Sequence, residues 1–183
     1  MDTRSSTVAA ERALQVTYHA PGRCTVGEVV NVCIVVFHRA AEVEDTDALL
    51  RAAPAFAERY PGGTSMLVWV AGEAGLPTPE ARAGFKQLAH NHRHREGEVA
   101  VVLAGTGFWA GAMRGLVAGL RLAMPGRVGV HVYASTSDLA PSFLASHRDK
   151  TGIEVADWEL KVSLQEAIAH PNPVRVALGS KRF

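Results

Sequence analysis

Cysteine, net charge and long apolar runs are all scarce in this chain, and each scarcity excludes something. Two cysteines, Cys24 and Cys33, among 183 residues are too few for a disulfide framework or a thiolate-rich zinc site, and a reducing cytoplasm is the expected setting. Cys33 sits within an apolar run, where a buried thiol is the plain reading. The formal charge is only +1 with His neutral, so no field gathers nucleic acid or an anionic membrane. No segment reaches the roughly 18 uninterrupted apolar residues of a membrane span; the stretch 109–124 comes nearest but carries Arg114 and Arg121. The polar start, residues 1–7, lacks the apolar core of a signal peptide. Also missing are an internal repeat, a domain linker, a Gly-Lys-Ser/Thr phosphate loop and a His-Glu-x-x-His pair.

What is present is an α/β pattern. Apolar residues make up 48% and charged residues 20%, as in an ordinary folded domain. Abundant alanine and an excess of arginine over lysine suit a GC-rich bacterial genome. Residues 14–19 alternate at period two and predict a strand, ended by Pro21-Gly22. The β-branched run 29–37 predicts one central strand. A helix is expected from 45 to 60, kinked or shortened by Pro54. A strand at 65–71 follows, then a helix to about 92 whose start is marked by Thr78-Pro79-Glu80. Next come a strand near 98–104, a helix at 109–124, a strand at 128–133 and a short helix that begins at Ser137-Asp138 and ends by Thr151-Gly152. For the last segment, alternation favours a strand, but Asp157 and Ser163-x-x-Glu166 favour a helix over 157–169. The order calls for a single mixed, mostly parallel sheet with helices, spanning 14–170, with flexible termini at 1–13 and 171–183.

Few residues point to chemistry. Gly105, Thr106 and Gly107 join a strand to a helix, where backbone N–H groups can meet a phosphate; a tight turn explains the same glycines. His90 and His94 share a helix face at i, i+4, with His92 nearer the core side, but no third metal ligand is fixed by spacing, and no metal or cofactor is expected. His38 and His131 are strand histidines with no committed partner. Ser135, Thr136 and Ser137 are accounted for as cap and turn residues.

The helix 109–124 carries the clearest signal. At about 100° per residue, Trp109, Met113, Leu116, Val117, Leu120 and Met124 form one bulky face. Gly111, Gly115, Ala118, Gly119 and Leu122 form a smooth face roughly opposite. Two readings of that smooth face stand: close packing by another helix of the same chain, or an interface with a second copy or another protein.

Taken together, the β-rich start ending in Val35-Val36-Phe37, the strand 66–70 leading to the helix at Thr78, and Val99–Val102 leading into a glycine turn resemble the STAS-like (SpoIIAA-like) fold of the anti-sigma-factor antagonists. The resemblance covers about 14–147 and rests mostly on hydrophobic patterning. It implies a non-enzymatic bacterial signalling module that acts through a regulatory protein partner, in the cytoplasm, with a homodimer as one form of contact. In signalling members of that family a serine at the corresponding helix start is phosphorylated. The family pattern is Asp-Ser-x-Gly; Thr78 is the nearest hydroxyl here, with Pro77 in place of the Asp and Glu80 in place of the Gly. The alternative is a small-molecule or lipid-binding module, with Trp69, Phe85, Phe108 and Trp109 lining an apolar pocket. A third reading is an enzyme using the strand histidines or the Gly105–Gly107 turn.

Overall fold

The computed structural model describes residues 13–92, 97–123 and 128–170. They form strands β1 (Gln15–Ala20), β2 (Cys24–Val29), β3 (Val32–Phe37), β4 (Ser65–Ala71), β5 (Gly97–Ala104) and β6 (Val128–Tyr133). The helices are α1 (Val43–Arg59), α2 (Pro79–His92), α3 (Gly107–Ala123), α4 (Thr136–Thr151) and α5 (Asp157–Ala169). The strands lie side by side in chain order in one six-stranded sheet. β1, β2 and β3 are antiparallel neighbours, whereas β3 to β6 run parallel. This is the mixed α/β sheet that the alternation calls for.

A sheet that grows strand by strand in one direction, through right-handed crossovers, places every crossover helix on the same face. α1, α2 and α3 accordingly form a layer, α1 against α2 and α2 against α3. α4 and α5 cover the other face, over β5 and β6 and over β2 and β3 respectively. Strand alternation divides the sheet residues between two cores. In-register rows Cys33-Met66-Val99-Val130, Val35-Val68-Val101 and Phe37-Val70-Leu103 face the α1–α3 layer. Ile34-Leu67-Ala100 and Val36-Trp69-Val102 face α4 and α5.

One expected element is two. The run 29–37 is divided by a turn at Val30 and Asn31, and residues 24–29 form a strand that the alternation did not reveal. Val30 adopts φ +49°, a costly conformation for a β-branched residue. Asn31 holds it: its Nδ2 donates to the Gly63 carbonyl at 3.1 Å, and its own carbonyl accepts from the Ser65 N–H at 3.1 Å. Tertiary hydrogen bonds therefore set this turn against local preference.

The remaining boundaries follow local chemistry. α1 runs unbroken through Pro54, which is solvent-exposed. Thr78 caps α2, accepting from the Ala81 N–H at 3.2 Å. Ser135 caps α4 through the Asp138 N–H at 3.2 Å, and Gly152 ends it in the left-handed region, donating to the Arg148 carbonyl at 2.8 Å. Residues 157–169 are a helix, and its box is Ala156 N–H to Glu159 Oε2 at 2.9 Å. Ser163 is buried mid-helix instead of capping.

Candidate functional site: an apolar chamber beneath the helix layer

α4 and α5 lie close on their side of the sheet, whereas α1–α3 stand off from theirs. Side-chain size accounts for much of the difference. Ala52 and Ala53 on α1 and Ala89 on α2 face a floor of medium-sized residues such as Cys33, Val68 and Val99. Short side chains above and below do not meet. The result is a cavity of about 180 Å³ between sheet and helices, somewhat larger than the ~150 Å³ apolar cavities that take up benzene. Residues at the centre of a covered sheet are normally inaccessible, yet Cys33, Met66, Val68 and Val99 are only half-buried.

The chamber has an apolar body and two polar ends. Met113, Leu116, Val117 and Leu120 of α3 complete the roof, with Phe85 and Leu88 of α2. At the end where β3 and β4 begin stand Thr17, Glu28 and Thr64. Glu28 is 8% exposed and is ion-paired with Arg59. At the end where those strands finish stand Arg39, Gly75 and Pro77. Burial, with the Glu28 carboxylate adding to it, pushes the Cys33 thiol up to about 12. That thiol is protonated at neutral pH and offers no thiolate nucleophile.

A buried polar network occupies the opposite face. Glu98, 1% exposed, accepts from Lys150 Nζ and Ser146 Oγ, each at 2.6 Å. His131 Nε2 stands 2.7 Å from the other carboxylate oxygen, at ion-pair distance but without hydrogen-bond alignment. Gly129 leaves the room, since a Cβ there would lie 2.6 Å from Glu98 Oε1 and 2.7 Å from Lys150 Nζ. Beside it, His147 Nδ1 and Ser65 Oγ are 2.8 Å apart, and Ser65 Oγ accepts from the Glu98 N–H at 3.0 Å. Burial lowers His147 to about 4, against a weaker upward pull from Glu98. The imidazole is neutral at pH 7 and can accept a proton, so a serine–histidine pair exists. Ser65 and His147 are 3% and 0% exposed, so no substrate reaches them. The network tethers α4 to β4 and β5. Thr151 Oγ1 stands 3.5 Å from His147 Nε2, and the four α4 residues, Ser146, His147, Lys150 and Thr151, recur at i, i+1, i+4 and i+5, a one-face pattern legible in the sequence.

The residues singled out from the sequence are dispersed. On α3, Gly111, Gly115, Ala118 and Gly119 are exposed, and Leu122 is 87% exposed. Apart from the adjoining residues and the helix's own backbone, no described atom lies within 4 Å of where a Cβ would stand on any of the three glycines. Packing of this face by another helix of the chain is therefore absent among the described residues. The bulky face does point toward the sheet, but across the chamber.

Gly105 is explained by crowding: its Cβ would stand 2.7 Å from Gly72 Cα and 2.9 Å from the Trp109 ring. Gly107 has φ +74° and turns the chain into α3, with Thr106 exposed between them. Of the four aromatics expected in a pocket, only Phe85 lines the chamber. Trp69 points to the other face, 5.9 Å from the His38 ring, and Phe108 is 93% exposed. Burial, then the neighbouring His19, lowers His38. His90 lies on the exposed side of α2, whereas His94 and the His92 side chain fall outside what is described. Among the described residues no three His, Cys, Asp or Glu side chains gather as a metal site. No described helix is long and apolar enough to cross a membrane.

The chain matches no family model, and comparison with curated proteins and with solved structures finds no significant likeness.

Proposed function

We propose that this protein is a non-enzymatic binding module that takes a small apolar or amphipathic molecule between its sheet and the α1–α3 layer. The observation that carries this reading is the chamber itself. A void of this size loses packing contacts on every wall, and a ligand restores them. A fluorescent neutral probe such as N-phenyl-1-naphthylamine tests the idea. It should bind the wild type at one site, and Val68→Phe, which places a ring in the middle of the floor, should abolish binding without lowering the melting temperature. Equal binding by the two proteins would contradict the reading.

A second reading, a protein contact through α3, is favoured by the outer face of that helix. Phe108 and Leu122 are 93% and 87% exposed, and the glycine stripe between them is bare. The two readings are compatible, because the inner face of α3 roofs the chamber while the glycines of its outer face have open space where a Cβ would stand. In this form the protein is a bacterial cytoplasmic regulator of STAS-like type whose partner surface responds to ligand. The partner is a second copy or another regulatory protein. Light scattering on Gly115→Leu tests the contact: a loss of assembly at unchanged stability supports it, and an unchanged oligomer counts against it.

A further inference from the structure

We propose that the molecule held in the chamber is a medium-chain carboxylate, with its alkyl chain between sheet and helices and its carboxylate at Arg39. This rests on the ligand-binding reading above and adds the chemistry of the head group.

Charge at the two ends of the chamber carries the argument. Three charged residues border it: Glu28, Arg39 and Glu98. The Glu98 side chain turns to the opposite face, where Lys150 and Ser146 hold it. Glu28 already has its cation, Arg59. Arg39 has no acidic partner among the described residues, although nearby Arg23 has two, Glu42 at 2.5 Å and Asp45 at 3.1 Å. One end of an apolar cavity is therefore bordered by an arginine with no acidic partner among the described residues, and the other by a neutralised carboxylate that disfavours a second anion. An amphiphile with an anionic head has one favourable orientation, with its head at the end where Arg39, Gly75 and Pro77 stand.

A carboxylate suits a single arginine, because the guanidinium offers two parallel N–H donors to its two oxygens. A phosphate monoester needs further donors, and no other cation borders the chamber among the described residues. The remaining lining is almost wholly aliphatic and aromatic carbon, which sets the chain as alkyl. Each methylene buried raises affinity about fourfold until the 180 Å³ chamber is full.

The test uses the purified full chain and displacement of bound N-phenyl-1-naphthylamine, below micelle-forming concentrations. Competitors are hexanoate, octanoate, decanoate and 1-decanol. The wild type should prefer decanoate to 1-decanol by about tenfold, with affinity rising along the acid series to a plateau. Arg39→Gln should lower decanoate to the level of 1-decanol and leave the neutral probe unaffected. Arg39 is exposed, so Arg39→Gln should keep the wild-type melting temperature, which is measured alongside. Equal displacement by acid and alcohol in the wild type, or decanoate binding that survives Arg39→Gln, overturns the head-group assignment while the chamber reading stands. A probe that does not bind the wild type overturns both.

Discussion

His147 has a 0% exposed imidazole whose affinity for protons is lowered to about 4 from an ordinary 6.5. Between those values the unfolded chain takes up a proton that the folded chain refuses. The stability linked to this residue is therefore complete above about pH 6.5 and is lost as pH falls toward 4. At about 1.4 kcal/mol per pH unit, the loss is on the order of 3 kcal/mol. Denaturant titrations at pH 7 and pH 4.5 should show this fall in the wild type. His147→Asn should be less stable at pH 7, because its hydrogen bond to Ser65 is altered, yet show a shallower fall on acidification. An unchanged slope would mean that His147 does not titrate as its burial requires. This network was only half legible in the sequence. The helical spacing from Ser146 to Thr151 places four polar side chains on one face, but nothing local says that this face is buried or that Ser65 and Glu98 meet it from strands far away in sequence.

At the scale of elements, α3 is where the sequence spoke most clearly and was most incomplete. The 3.6-residue period separated its bulky and smooth faces, and Met113 and Val117 are indeed buried on the inner one. Periodicity says which side turns inward, not how far away the opposing layer lies. The distance depends on the alanines of α1 and α2, whose small side chains are visible in the sequence. The division of 24–37 into β2 and β3 was hidden for another reason, since Val30 holds a turn through tertiary hydrogen bonds that its own preference opposes. By contrast, Thr78, Ser135 and Gly152 mark their helix ends through chemistry contained within a few residues.

The bare glycines of α3 carry a direct consequence. Gly115 has helical backbone and open space where a Cβ would sit. Gly115→Ala should therefore stabilise the monomer by about 1 kcal/mol, read as a rise in melting temperature. A fall would mean that something packs on that face in solution.

For the whole molecule, the sequence conveyed the layered α/β order but not its asymmetry. One side of the sheet is closed by α4 and α5, including a fully buried Phe143. The other side carries a helix layer that packs against itself, with Gly84 of α2 so close to Thr46 of α1 that a Cβ would lie 2.3 Å from Thr46 Oγ1. Helix-to-helix contact on that side is tight and helix-to-sheet contact is loose. A layer built in this way can be held up by its own packing, leaving space below it. The space is a property of the assembled layers and belongs to no single segment, which explains why no motif announced it.

Isothermal titration of 1-decanol into the wild type and Val68→Phe, repeated at several temperatures, tests the chamber most directly, because a neutral ligand isolates apolar burial from the charge at Arg39. The account predicts one site per chain in the wild type with a negative heat-capacity change, the mark of buried apolar surface, and no binding to Val68→Phe. Absence of binding to the wild type, or the same heat-capacity change in both proteins, would contradict it.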